Sequence, residues 1–192
     1  PVSGGSLVIT NTTQSVVIEE VWLYEETEPV SYEEYCKAAP GTEGGTGLVT
    51  VQGEDFSIKS DAHIRSNNTN DPALTPYDTY HRMVNTLDGT SYGSPGQKVM
   101  WEFEVEEDGW YEIGLKFCQN SAANKKVYRR VEIDGAVPYA ELSRVSFPQT
   151  GNLSYETRFL TDEEGEAYQV YLTAGRHTIA LEATMGEERA VY

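Results

Sequence analysis

Between residues 65 and 96 the chain carries Tyr77, Tyr80, Arg82, Asn85 and Tyr92, with Asn67 near the start of the stretch. Further along lie Gln119, Asn120 and Arg129. These side chains stack and hydrogen-bond. A tyrosine ring offers a flat apolar face with a hydroxyl at its tip. An Asn or Gln amide both donates and accepts, and an Arg fork donates through five N–H groups. The chemistry this set predicts is recognition of a polar ligand without covalent change. Structural duties compete for the same residues. One or two of the three tyrosines are expected to pack the stretch onto the body of the fold. Gln119-Asn120 can equally open a turn. Arg129 falls on one row with Val127, Val131 and Ile133, so it either holds an acid at a rim or meets a ligand, because a guanidinium is not left buried and unpaired.

Signatures of catalysis are missing. There is no Gly-x-Ser-x-Gly, no phosphate-binding loop, no Gly-x-Gly-x-x-Gly and no His-Glu-x-x-His. His63, His81 and His177 are isolated in sequence. Of these, His177 sits beside a turn and reads as structural, while His81 falls in the tyrosine-bearing stretch. Acids are numerous enough that counting does not dismiss a carboxylate pair of glycosidase type. Pairs such as Glu106-Glu107 and Glu163-Glu164 sit at turns, where solvated charge is the ordinary explanation. The expectation is a protein that is not an enzyme.

The formal charge is −17, from 31 acids against 14 Lys plus Arg. That field repels phosphate backbones and anionic membranes, which argues against nucleic acid as a partner. No apolar run approaches the roughly 18 residues a membrane span needs. Cys36 and Cys118 lie far apart and fit no metal spacing; free thiols are expected, a bridge being the alternative. The chain opens at Pro1 and closes on Val191-Tyr192, and reads as a piece of a longer, processed protein.

The elements that must position these residues are strands. Residues 6–10 and 16–24 are Val- and Ile-rich and predict two strands of an N-terminal extension. Ser31 followed by Glu34 predicts the N-cap and capping box of a short helix. Residues 40–47 are Gly-rich and read as a linker. These features divide the chain into an extension and linker, 1–47, and a sandwich, 48–192. Val99, Trp101, Phe103 and Val105 alternate with polar residues, and so do Tyr111, Ile113, Leu115 and Phe117. Asp108-Gly109 lies between them, which predicts a β-hairpin. Val127–Ile133, closed by Asp134-Gly135, adds a strand, as do residues 157–160, 167–172 and 177–184. Many short strands with Gly-containing turns predict an all-β sandwich. The long, polar stretch 65–96 is the loop on which function is expected.

Four segments, in order, resemble family-6 and family-35 carbohydrate-binding modules. Val51-Gln52-Gly53-Glu54-Asp55-Phe56 resembles their opening strand. Residues 96–105 with Asp108-Gly109-Trp110-Tyr111 resemble their central hairpin. Val131-Glu132-Ile133-Asp134-Gly135 resembles a strand and its turn, and Tyr171-Leu172-Thr173-Ala174-Gly175-Arg176-His177-Thr178-Ile179 a later strand. The resemblance implies a jelly-roll β-sandwich, galactose-binding-domain-like, over roughly residues 48–185. It implies an extracellular, non-catalytic module that binds oligosaccharide or polysaccharide, neutral sugar first and a uronic acid through an arginine fork second. Tyr77, Tyr80, Tyr92, Arg82, Asn85, Gln119, Asn120 and Arg129 would then form its ligand set. A structural calcium occurs in these families; here Glu54 is the single candidate ligand, so no metal and no cofactor is expected. A narrower resemblance joins Ser31-Tyr32-Glu33-Glu34-Tyr35, Arg82-x-x-Asn85, Gln119-Asn120 and Tyr128-Arg129-Arg130 to bacterial solute-binding lipoproteins of sugar ABC transporters. It implies cell-surface anchoring and further domains in the same parent chain. A protein-interaction sandwich that positions neighbouring domains is the alternative function, and a glycoside hydrolase the third.

Overall fold

The computed structural model describes residues 28–41, 44–120, 125–151 and 154–186. The strands expected at 6–10 and 16–24 lie outside the described residues. Helix α1 spans Tyr32–Ala38, and Ser31 caps it, its Oγ accepting from Glu34 N at 3.3 Å. The strands are β1 Ile58–Lys59, β2 Ser66–Asn67, β3 Thr86–Leu87, β4 Lys98–Val105, β5 Gly109–Glu112, β6 Gly114–Phe117, β7 Val127–Ile133, β8 Val145–Phe147, β9 Glu156–Phe159, β10 Gln169–Leu172 and β11 Gly175–Thr184. A 3-10 helix, Ala140–Arg144, precedes β8.

One layer is a five-stranded sheet in the order β1-β4-β11-β7-β8, with every pairing antiparallel. The opposing layer is built from β10 on β5 and β9 on β6. The molecule is therefore a jelly-roll β-sandwich, as its alternating strands and Gly turns predict.

The predicted hairpin is not formed. β4 pairs with β1 and β11, while the strand after Asp108-Gly109 crosses to the other layer and pairs with β10. Alternation reports which side of a strand is buried. It says nothing about which strand lies alongside, and in a sandwich consecutive strands can serve opposite sheets.

The core follows the alternation closely. Val105, Val131 and Ile133 of the large sheet meet Leu160, Val170 and Leu172 of the small one, with Tyr139 and Leu142 at one end. At the other end Ile64, just before the long loop, and Tyr92, within it, pack with Val99, Trp101 and Ala183. Tyr92 thus pins the long loop to the sandwich.

The segment before the sandwich is bound tightly to it. Tyr32 and Tyr35 pack their rings against Tyr139 at 4.8 and 5.2 Å between centroids. Their hydroxyls accept from the backbone amides of Gln169 and Tyr171 at 3.1 and 3.0 Å. Among the described residues β10 pairs with β5, and on its other side the two tyrosine hydroxyls accept from its amides. Gly45 N donates to Trp110 O at 2.9 Å, and Trp110 Nε1 donates to Gly41 O at 2.7 Å. Glycine is required at this approach: a Cβ on Gly109 would fall 2.5 Å from Gly45 N.

The turn after β7 is held by a titratable pair. Asp134 adopts φ 51° and Gly135 φ 79°, the left-handed conformations of a tight strand-ending turn. Asp134 Oδ1 accepts from Thr178 N at 2.8 Å, and its Oδ2 lies 2.7 Å from His177 Nδ1. His177 Nε2 lies 2.7 Å from Thr173 O, so both ring nitrogens face acceptors and the imidazolium fits best. Burial pushes the ring's pKa down, but the Thr173 carbonyl and the Asp134 carboxylate carry it above its ordinary value. The folded value then exceeds the unfolded one. The stabilisation is complete below pH about 6.5 and is lost as pH rises through the folded value. Melting curves against pH are expected to show wild type losing about 1 kcal/mol, a few degrees, relative to His177→Asn over that rise. Parallel curves for the two proteins would refute the assignment.

Candidate functional site

The loop between β2 and β3 folds into an open groove of about 500 Å³. Its base is a two-rung ladder, Ser66 opposite Leu87 and Asn67 opposite Thr86. Asp88, itself buried, closes the base: its N–H donates to Arg65 O at 2.9 Å and its carboxylate meets Arg65 Nη2 at 2.9 Å. One wall is Asn68, Thr69 and Asn70; the other runs from Tyr77 to Met83, with Asn85 between.

Four of the predicted ligand residues meet here: Tyr77, Tyr80, Arg82 and Asn85. Tyr80 is 90% exposed and Tyr77 39%, so both rings offer a face to solvent. Arg82 is exposed beside them. Asn85 is buried, and its amide is fully engaged with the loop's own backbone.

The other four lie elsewhere. Tyr92 is in the core, its hydroxyl donating to Leu181 O. Arg129 does sit on the inward row, opposite Ala183 and Val145. Its guanidinium lies 4.6 Å from the Tyr92 ring centroid and donates to Tyr128 O at 2.8 Å and Tyr92 O at 3.0 Å. Carbonyl dipoles and a ring face therefore hold the charge where an acid was expected at the rim. Burial pushes the guanidinium's pKa down and the Tyr92 hydroxyl's up. Gln119 is buried and ties two chain segments, donating to Lys125 O at 2.9 Å while its backbone carbonyl accepts from Thr150 N at 3.0 Å. Asn120 beside it is exposed.

Sequence reasoning missed Asn68, Asn70, Asp78 and Met83, all of which line the groove. Asp78 had a readable signal, because an acid two residues before a turn amide forms an Asx turn. Its Oδ1 accepts from Tyr80 N at 2.7 Å and His81 N at 2.9 Å, and lies 3.1 Å from His81 Nδ1. The two backbone N–H groups hold the Asp78 carboxyl below its usual range. The turn fixes where Tyr80 and His81 emerge. Thr69 Oγ1 lies 3.3 Å from Thr86 Oγ1, and Thr86 Oγ1 donates to Asn67 O at 3.2 Å, which ties one wall to the ladder at the base.

Glu54 lies outside the groove. Burial pushes its carboxyl up, and its Oε2 is enclosed without a hydrogen-bond partner among the described residues. Calcium needs several hard oxygens. Among the described residues no group of three or more Asp, Glu, His or Cys gathers around a common point. No described helix is long and apolar enough to cross a membrane.

No family model matches the chain, and no curated protein matches it. Among solved structures it is similar to a cycloisomaltooligosaccharide glucanotransferase of Paenibacillus sp. complexed with cycloisomaltoheptaose, with 23% identity and a TM-score of 0.50. That match covers 70% of this chain and 16% of the glucanotransferase, so the chain spans a small part of that enzyme's length. A family 35 carbohydrate binding module from Clostridium thermocellum is 16% identical with a TM-score of 0.48, over 72% of this chain and 87% of that one. The GH26-CBM35 β-(1,4)-mannanase of Podospora anserina is 20% identical with a TM-score of 0.44, over 72% of this chain and 24% of that one. At the level these likenesses reach, the chain is a jelly-roll β-sandwich.

Proposed function

We propose that this chain is a non-catalytic carbohydrate-binding module of an extracellular protein, and that the groove between β2 and β3 takes the sugar. The observation that carries the reading is the exposure of Tyr77 and Tyr80 beside Asn68, Asn70 and Arg82 in one open groove. A pyranose has an apolar C–H face and a rim of hydroxyls. The rings suit the first, and amides with a guanidinium suit the second. The four motifs that resemble family-6 and family-35 modules support the same class, as does a fold shared with an enzyme complexed with a cyclic oligosaccharide. The resemblance to those modules favours oligosaccharide or polysaccharide as the ligand.

Two other readings fit less well. A sandwich that only positions neighbouring domains would bury the loop tyrosines. Tyr92 is buried, but Tyr77 and Tyr80 are not. A glycoside hydrolase needs two carboxylates about 5–10 Å apart. Among the described lining residues there is one, Asp78, already engaged by backbone N–H groups. The motifs shared with sugar-transport lipoproteins extend the proposal to a module carried by a cell-surface solute-binding protein.

A glycan array followed by calorimetric titration tests the reading. Binding to at least one neutral or uronic-acid oligosaccharide is expected. Tyr80→Ala is expected to weaken it by about tenfold or more, about 1.4 kcal/mol, with the melting temperature unchanged because the ring is exposed. Failure to bind any glycan on the array would refute the proposal.

A further inference from the structure

Asn85 is placed to order the groove rather than to touch what enters it. It lies at the inner end of the loop, just beyond the β2–β3 ladder, and is 5% exposed. Its Oδ1 accepts from Thr69 N at 2.9 Å, and its Nδ2 donates to Thr69 O at 2.9 Å. The side-chain amide thus pairs with both main-chain groups of Thr69, as a peptide group does in an antiparallel strand pair. The second N–H of Nδ2 reaches Pro76 O at 3.0 Å. Thr69 stands between Asn68 and Asn70 on one wall, and Pro76 precedes Tyr77 on the other. One buried amide therefore ties both walls. Only one orientation serves all three bonds, because the Thr69 amide needs the oxygen and the two carbonyls need the NH₂. Both of its N–H groups are spent within the protein.

We infer that Asn85 is a positioning residue that holds the groove in its binding-competent shape, an inference that rests on the groove being the ligand site. Two independent features of the loop agree with it. Asn68 Nδ2 donates across the groove to Met83 O at 2.6 Å, and Asp78 fixes the Tyr80 turn. Each organises part of one side or a single crossing. Asn85 joins three chain segments at the floor. Without its two N–H bonds the loop populates open forms, and the apparent dissociation constant rises by the inverse of the competent fraction.

Asn85→Asp tests this with almost no change of shape. The carboxylate keeps an acceptor for Thr69 N but offers no donor to Thr69 O or Pro76 O, and faces both carbonyls with a negative charge. Asn85→Ser is the second variant, smaller and uncharged. Hydrogen exchange by mass spectrometry on the whole unliganded chain is read first. The amides of residues 68–83 are expected to exchange at least tenfold faster in both variants, with β4 and β11 protected as in wild type. Unchanged exchange in 68–83 in both variants overturns the inference, whether or not the groove binds sugar. So does a rise spread evenly over all strands. Isomaltoheptaose is then titrated as the probe, followed by mannohexaose and a glucuronic-acid oligosaccharide. The expected result is a rise in dissociation constant that scales with the loop opening measured by exchange, Asp above Ser. Loss of affinity with an ordered loop would make Asn85 a direct contact and overturn the positioning role. Wild type binding none of the probes counts against the sugar reading, and the exchange measurement still decides the role of Asn85 in the loop.

Discussion

Residues 48–192 alone are expected to melt at least about 10 °C below the full chain, or to aggregate, although they hold every strand of the described residues. The reason lies in what residues 28–47 cover. Tyr32 and Tyr35 pack on the core cluster around Tyr139, and Val30 O accepts from Ala140 N at 2.7 Å. Two partly buried tyrosines remove on the order of 200 Å² from water, which at about 25 cal/mol per Å² is about 5 kcal/mol. A whole domain of this size is stable by only about 5–15 kcal/mol. Removal also bares the edge of β10, whose Gln169 and Tyr171 amides would be free to pair with another chain. Differential scanning calorimetry and light scattering on the two lengths check this. Equal melting temperatures would show the segment to be a passive tether. Tyr32→Phe with Tyr35→Phe separates the two effects. It keeps the rings, removes both acceptors, and is expected to cost about 2–3 kcal/mol.

The second large effect is at Tyr139, where two substitutions are expected to act in opposite directions. Its side chain is fully buried among Tyr32, Tyr35 and Tyr168, with ring centroids 4.8, 5.2 and 5.7 Å away. Tyr139→Ala opens a cavity at the junction of the helix and the two sheets, and is expected to cost about 3–5 kcal/mol in urea unfolding. The hydroxyl is another matter. It is buried without a hydrogen-bond partner among the described residues, and burial pushes its pKa well up. An unpaired buried hydroxyl is a penalty, so Tyr139→Phe is expected to leave stability unchanged or raise it by up to about 1 kcal/mol. A clear loss in Tyr139→Phe would mean that the hydroxyl is bonded in solution.

The sequence by itself determined the all-β class, the buried side of β4 and the short-range cap of α1. Val99 to Val105 alternate because a strand has a period of two, and that period is local. Ser31 caps α1 through Glu34 N for an equally local reason, and the Asp134-Gly135 turn has its own bonds between Ile133 and Ala136 while Thr178 and His177 hold Asp134 from far along the chain. The loop that forms the groove was legible from its length and its Asn, Pro and Tyr content. Its division of labour was not. Tyr77, Tyr80 and Tyr92 read alike in sequence, yet two face solvent and one fills the core beside Arg129.

Pairing across the molecule belongs to the tertiary structure. Whether β4 lies beside β5 or β11 depends on which faces must be buried together, and an alternating strand is satisfied by either neighbour. The Gly-rich run 40–47 reads as a linker because glycine is flexible. In the fold the lack of side chains lets residues 44–45 come against Gly109 and Trp110. Asn85 and Asn68 carry the same amide, and only their depth makes one a clamp across three segments and the other a wall of the groove. Burial and partner are properties of the whole chain, which is why the loop could be picked out from sequence but the place of each residue on it had to be read from the structure.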